Sequence, residues 1–139
     1  MMQNRQYAFF CRFHIHAQKR IVVQSRSGRH RRFCGCGNEQ ILSNLRALCQ
    51  SSRVIVRIPI IPGFNDAEED IAAAAAFLKE LPGGMEGVHC LPYHNYGRSK
   101  YEALGMEYPL PDTALPKGDF MDRIKALFAL HGLEIQIGG

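Results

Sequence analysis

Several absences narrow the classes of protein that this 139-residue chain can belong to. It contains no run of about 18 apolar residues, so no segment is suited to span a membrane. The first twenty residues lack the apolar core and the small-residue cleavage site of a secretory signal. The five cysteines are odd in number and lack paired spacing, which argues against a disulfide framework. These features predict a single-domain cytoplasmic protein without a membrane partner.

Acidic residues are absent from the first 38 positions, which carry eight Lys or Arg residues. The rest of the chain carries nine basic residues and all thirteen acidic ones, so the net charge of +4 combines a basic start with an acidic remainder. Such asymmetry is typical of an arm that binds nucleic acid or anionic lipid, and equally of a segment foreign to the protein. We expect residues 1–29 to be a disordered or non-native leader, and residues 30–139 to be the folded body.

Hydrophobic periodicity from Asn38 onward predicts helices that alternate with strands. Residues 38–50 and 117–131 have the apolar spacing of amphipathic helices, with Gly132 ending the second. Asn65 and Glu68 resemble a capping box that starts a third helix, which ends near Leu81. The predicted strands are 53–58, 87–92 and 133–137, and AFF and IVV in the leader are further candidates.

This order predicts an α/β fold with a ligand-binding edge. Strands separated by helices need crossover connections, so the sheet is expected to be parallel. Right-handed crossovers then place the carboxyl ends of all strands at one rim, where ligands bind in such sheets and barrels. Arg57, Tyr93 and His94 lie at or just after predicted strand ends. We therefore expect these three side chains to meet at the rim.

Four segments of the body combine unlike residue types at fixed spacing. They are HRRFCGCGNEQILSNL (30–45), VRIPIIPGFND (56–66), LPYHNYGRSKYEALGMEY (91–108) and GLEIQIGG (132–139). Together they resemble the C-terminal part of the glycyl-radical-enzyme activating enzymes, the radical S-adenosylmethionine group typified by the activator of pyruvate formate-lyase. The resemblance covers residues 30–139 and implies a parallel-stranded partial barrel, the C-terminal half of a radical S-adenosylmethionine barrel.

The resemblance implies a chemistry, two cofactors and a partner. Members of this family bind a [4Fe–4S] cluster through a CxxxCxxC loop and cleave S-adenosylmethionine reductively. The resulting radical removes a hydrogen from a glycine of a glycyl radical enzyme, the implied partner. By matching positions, Arg57 and His94 are the S-adenosylmethionine-binding residues, and His94 contacts the nucleoside part. A guanidinium suits the methionyl carboxylate, and an imidazole hydrogen-bonds and stacks against adenosine.

The chain also departs from the family pattern. It has no CxxxCxxC, and its cysteines cannot supply three thiolates in one short loop. Cys49 and Cys90, on a helix stripe and in a strand, are expected to be core residues. The family's Asp-x-Lys strand is replaced by KRIVVQSRSG, which has no acid. These departures predict a truncated or frame-shifted product that is inactive alone, with no metal ligand and no catalytic residue assigned.

Alternative interpretations remain open for the leader and for the loop after residue 92. Six potential ligands near the basic start could bind zinc: Cys11, His14, His16, His30, Cys34 and Cys36. A zinc-binding module with so many basic residues nearby could in turn bind nucleic acid. An inert truncated product is the third hypothesis. Tyr93, Tyr96, Lys100 and Tyr101 could line a channel for the partner's glycine loop. Alternatively, Tyr93 and Tyr101 pack their loop onto the barrel. Lys100 is expected to be solvated.

Overall fold

The computed structural model describes residues 20–22, 28, 30–31, 35–83 and 85–138. Within these residues the chain forms four strands and four helices. The strands are β1 (Arg20–Val22), β2 (Val54–Ile60), β3 (Met85–Pro92) and β4 (Gln136–Ile137). The helices are α1 (Glu39–Ser51), α2 (Glu68–Lys79), α3 (Arg98–Ala103) and α4 (Phe120–Leu130). None of these helices combines the length and apolar character that crossing a bilayer requires.

The four strands form one parallel sheet in the order β1-β2-β3-β4. Parallel neighbours need crossover connections, and the helices between the strands supply them. Within the described residues the sheet is open, with β1 and β4 at its edges. The predicted α/β class with a parallel, incompletely closed sheet is therefore confirmed. Two residues of the IVV segment lie in β1, and the leader boundary at residue 29 stays a prediction.

The core lies between the helices and one face of the sheet. Val54, Val56, Ile58 and Ile60 alternate along β2 with residues that are only half-buried. Because strand side chains alternate between faces, these four point to the same side. They share one apolar cluster with residues of α1, α2 and α4; the helical members are Leu45, Cys49, Ile71, Ala74, Ala75, Leu78, Ile124 and Phe128. We call the opposite side of the sheet, away from these helices, the far face.

Strand β2 is longer than the sequence predicts. Pro59 was expected to end the strand, yet β2 continues to Ile60, which pairs with Pro92 of β3. Among the described residues the β1 ladder stops at the pair Val22–Arg57, so Pro59 lies where β2 is an edge on that side. No strand among the described residues lies beside Pro59 on that side, so its missing N–H removes none of the described ladder hydrogen bonds. The final strand is shorter than predicted, since β4 begins at Gln136.

The capping box predicted from Asn65 and Glu68 does not form. The N-cap of α2 is Ala67, and no side chain caps the helix. The Asn65 side chain instead binds the end of β2: its Nδ2 donates to the Pro59 carbonyl at 2.7 Å, and its Oδ1 accepts from the Ile61 N–H at 2.8 Å. Asn65 is buried, so these bonds satisfy its amide and fold the chain back after the strand.

The predicted ending of the last helix is confirmed. Gly132 has a φ of 74°, the left-handed conformation that glycine adopts without steric cost. The Leu133 N–H then donates to the Phe128 carbonyl at 3.0 Å, which satisfies one of the last helix carbonyls. This turn leads the chain directly into β4, whose register against β3 positions Gln136 beside His89.

Candidate functional site on the far face and at the carboxyl edge

Arg57 lies in the middle of β2, not at the strand end that the sequence predicted. The correction follows from the extension of β2 through Pro59 to Ile60. Arg57 alternates with Val56 and Ile58, which belong to the core, so its side chain belongs to the far face. Its Nε and Nη2 atoms are buried and have no hydrogen-bond partner among the described residues. A guanidinium placed in this way is a ready donor to an anion.

A row of register-paired residues crosses the sheet through Arg57. Val22 pairs with Arg57, Arg57 with His89, and His89 with Gln136, so each of the four strands contributes one residue. Paired residues of parallel strands share a face, and neighbouring strands lie about 4.8 Å apart. The far face therefore carries three adjacent polar side chains. His89 also has a buried ring nitrogen, Nδ1, without a partner among the described residues.

Sequence reasoning missed His89. The signal was present, because Val88 and Cys90 on either side of it are apolar and the strand was correctly placed. Strand alternation alone assigns His89 to the face opposite these two residues. What the sequence did not provide was the register between β2 and β3, which determines that Arg57 is its neighbour.

His94 lies two residues beyond the end of β3 and is exposed. Its ring stacks on that of Tyr96, with centroids 4.4 Å apart and an interplanar angle of 24°. Within the described residues, no hydrogen bond or ring contact joins His94 to Arg57. The predicted common rim is therefore only partly formed. His94 is at the carboxyl edge of the sheet, and Arg57 is three residues before that edge, about 10 Å along the strand.

Three tyrosines hold the loop after β3 in place. The Tyr93 and Tyr108 hydroxyl oxygens lie 2.9 Å apart in a buried hydrogen bond, and the Tyr101 ring meets that of Tyr108 edge-on at 5.4 Å. Burial, and then the bond to Tyr93, raises the pKa of Tyr108 to about 12. The packing interpretation thus holds for Tyr93 and Tyr101, whereas Tyr96 is 79% exposed. Tyr108 was not singled out from the sequence.

Lys100 is exposed, as the sequence predicted. It lies in the short helix α3, between the ring-stacked Tyr96 and the buried Tyr101. Arg98 of the same helix pairs with Glu102 at 3.2 Å, an exposed contact that contributes little to stability.

The proposed zinc ligands fall mostly outside the described residues, since only His30 and Cys36 are included. His30 is buried, and its Nδ1 lies 2.8 Å from the Cys36 carbonyl oxygen. Across the described part of the chain, no three His, Cys, Asp or Glu side chains are grouped as a metal site would require. The zinc hypothesis stays a prediction.

Two of the remaining cysteines are core residues, as expected. Cys49 and Cys90 are buried in the apolar cluster between the helices and the sheet. Burial raises the pKa of the Cys90 thiol to about 12, which keeps it protonated and unreactive at neutral pH. Cys36, by contrast, is exposed.

Comparison with known proteins gives one consistent group of relatives. No family model matches the chain. The isethionate sulfite-lyase activating enzyme of Nitratidesulfovibrio vulgaris is 42% identical over 104 residues, 73% of this chain and 33% of that protein. The indoleacetate decarboxylase activating enzyme of Tractidigestivibacter scatoligenes is 36% identical over 107 residues, 76% of this chain and 33% of that protein. The chain thus spans about a third of the length of these curated relatives.

Solved structures agree with the sequence comparison. A domain of the pyruvate-formate lyase-activating enzyme from Bacteroides vulgatus superposes with a TM-score of 0.66 at 29% identity, covering 86% of this chain and 66% of that domain. A radical SAM methyltransferase from Sphaerobacter thermophilus gives a TM-score of 0.64 at 13% identity, which shows a shared fold. It covers 95% of this chain and 36% of the methyltransferase. The resemblance and the fold inferred from the sequence are confirmed.

Proposed function

We propose that this chain, whose relatives are the glycyl-radical-enzyme activating enzymes of the radical S-adenosylmethionine family, binds S-adenosylmethionine through Arg57 and His94. The observation that carries the proposal is Arg57, whose Nε and Nη2 are buried on the far face without a partner among the described residues. Burying a polar group without a partner is costly, so a bound anion would offset that cost. The methionyl carboxylate is the anion that the family's ligand offers.

His94 has a different role in this proposal. It stands at the carboxyl edge of the sheet, where ligands of parallel α/β folds bind, and its exposed ring is available to a nucleoside. The stack with Tyr96 presents a flat surface on which an adenine or ribose packs. The buried Tyr93–Tyr108 hydrogen bond fixes the residue directly before His94 and so positions the ring.

The [4Fe–4S] cluster of the family does not fit the residues of this chain. Its sequence has no CxxxCxxC, and two of its five cysteines are buried in the helix-side core. The intact family uses the cluster to supply the electron that cleaves S-adenosylmethionine. We infer that the chain alone binds the nucleoside but does not perform the reductive cleavage. Localisation in the cytoplasm stays a prediction from the cysteine pattern.

Binding of S-adenosylmethionine to the full chain, measured by isothermal titration calorimetry, tests the proposed site. Arg57→Ala removes a charge-assisted contact and should weaken binding roughly tenfold to a hundredfold. His94→Ala should weaken it by about tenfold or less, because a neutral contact is worth roughly 1 kcal/mol. Arg53→Ala is the matched control: its side chain is 80% exposed and pairs with Glu86 at 3.2 Å, so binding should not change.

Two results would count against the site. One is a wild-type chain with no measurable affinity for S-adenosylmethionine. The other is equal affinity in the wild type and in both the Arg57→Ala and His94→Ala variants.

A glycyl radical enzyme is the partner that we propose, because the relatives activate enzymes of this kind. In support, the loop that follows β3 exposes two large apolar side chains, with Tyr96 79% and Leu104 72% exposed. Exposed aromatic residues are enriched at protein interfaces and often dominate their energetics. The loop also carries His94, so a partner seated there would lie beside the nucleoside.

Biolayer interferometry against immobilised isethionate sulfite-lyase and indoleacetate decarboxylase, the enzymes named in the two relatives above, tests this partner. Tyr96→Ala and Leu104→Ala should each weaken binding about fivefold or more, as truncation of a buried anchor does. Leu130→Ala is the control, because Leu130 is 77% exposed on α4, outside the loop. Binding to neither enzyme, or equal loss with Leu130→Ala, would refute the assignment.

A further inference from the structure

We propose that His89 is a second carboxylate-binding residue, which acts beside Arg57 on the far face of the sheet. The inference deepens the proposed function and rests on it for the identity of the carboxylate, that of S-adenosylmethionine. It assigns a role to a residue that the sequence did not single out. The proposal rests on two neighbouring side chains, Arg57 and His89. Together they have three buried nitrogens without a hydrogen-bond partner among the described residues.

The sheet register places the two side chains together. Arg57 of β2 pairs with His89 of β3 in the parallel ladder, and the flanking pairs Val56–Val88 and Ile58–Cys90 belong to the core. Arg57 and His89 therefore point to the same side, away from the helices, from backbones about 4.8 Å apart. Both are central in their strands, so the position of each is fixed by ladder hydrogen bonds on either side of it.

The neighbouring residue on β3 leaves space for the imidazole. Gly87 precedes His89 by two residues and therefore lies on the same face. A Cβ atom built on Gly87 would stand 3.9 Å from His89 Nε2 and have no nearer neighbour. The ring thus extends over Gly87 at ordinary contact distance. Its other nitrogen, Nδ1, is the buried and unpartnered one.

The unpartnered atoms are all nitrogens that can donate. Arg57 presents Nε and Nη2, and His89 presents Nδ1. Two adjacent guanidinium N–H groups form a fork that matches the two oxygens of a carboxylate. A carboxylate has four lone-pair sites, so it can accept this fork and a further N–H from the imidazole. One N–H from each of these three nitrogens can therefore be accepted by a single carboxylate.

No acidic residue stands among the far-face positions where β2 and β3 pair in regular register, from Ile55–Gly87 to Pro59–Leu91. The other far-face residues of β2 and β3 in this stretch are uncharged; they are Ile55, Pro59, Gly87 and Leu91. The neighbour of His89 on β4 is Gln136, whose amide is also uncharged. The acid closest in sequence, Glu86, lies at the register irregularity between the pairs Val54–Met85 and Ile55–Gly87, and its carboxylate is 3.2 Å from Arg53. The positive charge of Arg57 is thus left for a ligand to neutralise.

A ligand pair that differs only in the carboxylate tests the proposal on the full chain. S-adenosylmethionine and its decarboxylated analogue share the nucleoside and the sulfonium, so the ratio of their dissociation constants isolates the carboxylate. His89→Ala should weaken S-adenosylmethionine binding about tenfold while leaving the analogue's affinity unchanged. The Arg57→Ala, His89→Ala double variant should show a smaller loss than the product of the two single losses, as coupled contacts do.

The control is Gln136→Ala, which changes an exposed far-face neighbour of His89 without removing a buried donor. Thermal unfolding of each variant checks that the fold is retained, and His89→Gln keeps a polar side chain of similar size should His89→Ala fail to fold. His89 variants that weaken both ligands equally, or neither, would overturn the assignment.

A second probe separates this proposal from the proposed function. L-methionine and 3-(methylthio)propylamine differ by the same carboxylate but carry no nucleoside, and NMR of the His89 ring and the Arg57 side chain reports their binding. If S-adenosylmethionine does not bind but L-methionine shifts the resonances of both residues, the carboxylate-binding pair of Arg57 and His89 is supported and the nucleoside site is refuted. If neither S-adenosylmethionine nor L-methionine shifts the His89 resonances, the proposed pair of Arg57 and His89 is refuted.

Discussion

At the scale of single residues, the loop after β3 depends on one buried hydroxyl pair. Tyr93 and Tyr108 are 15 residues apart in sequence, and their hydroxyl oxygens lie 2.9 Å from one another. The bond closes the loop that carries His94, Tyr96 and α3. Its strength therefore affects both stability and the geometry of the candidate nucleoside site.

Tyr108→Phe should lower the free energy of unfolding at pH 7 by about 1 to 2 kcal/mol, because the Tyr93 hydroxyl is left buried without this partner. Chemical denaturation measures the change. Tyr96→Phe is the control, since the Tyr96 side chain is 79% exposed and its hydroxyl contributes no buried bond. Equal stability of Tyr108→Phe and the wild type would show that the bond is not stabilising.

The raised pKa of Tyr108 adds a dependence on pH. A tyrosine in the unfolded chain loses its proton near pH 10, whereas Tyr108 in the folded chain keeps it up to about 12. Between these values the folded state holds more protons, so stability falls as the pH rises from 10 to 12 and levels off above that. This group contributes a loss of up to about 3 kcal/mol, which Tyr108→Phe should lack. Parallel profiles of unfolding free energy against pH for the wild type and Tyr108→Phe would contradict the raised pKa of Tyr108.

At the scale of elements, the sequence predicted which segments form helices and strands better than where they end. Periodicity located the core stripe of α4, including Ile124 and Phe128, because burial on one helix face leaves a pattern of 3.6 residues. The predictions made from Pro59 and Asn65 were wrong. Pro59 lies inside β2, on a part of the strand that has no partner on the β1 side within the described residues, and Asn65 binds the β2 end rather than capping α2. Both outcomes depend on neighbours that only the folded chain supplies.

The candidate site shows the same contrast between what local sequence predicts and what depends on neighbours in the fold. Arg57 and His94 were singled out because the segments that carry them resemble those of a known family. His89 was not found, because its significance comes from register: it is Arg57's neighbour only when β2 and β3 pair as they do. Nothing local in GVHCLP determines that alignment. Residues that act through a cross-strand neighbour are therefore the ones that sequence reasoning misses most easily.

At the scale of the whole molecule, the chain combines a parallel sheet, for which we propose ligand binding, with a sequence that lacks the family's cluster motif. The two parts of the family's chemistry, binding of S-adenosylmethionine and its reductive cleavage, are separable in principle. In our proposal, binding the nucleoside depends on the sheet and its carboxyl edge, whereas the family's reductive cleavage depends on a cluster with three cysteine ligands in one loop. This chain covers about a third of the length of these curated relatives.

Anaerobic reconstitution with iron and sulfide therefore separates binding from catalysis. We expect no stoichiometric [4Fe–4S] absorbance after desalting, because Cys49 and Cys90 are committed to the core and the remaining cysteines have no CxxxCxxC spacing. S-adenosylmethionine should still bind to the treated chain, and no 5′-deoxyadenosine should form on addition of dithionite. Cys36→Ser is the control for iron held adventitiously by an exposed thiol. A full cluster that survives desalting and supports cleavage would show that this chain is a complete catalyst, because its own thiolates would then supply what the missing motif supplies elsewhere.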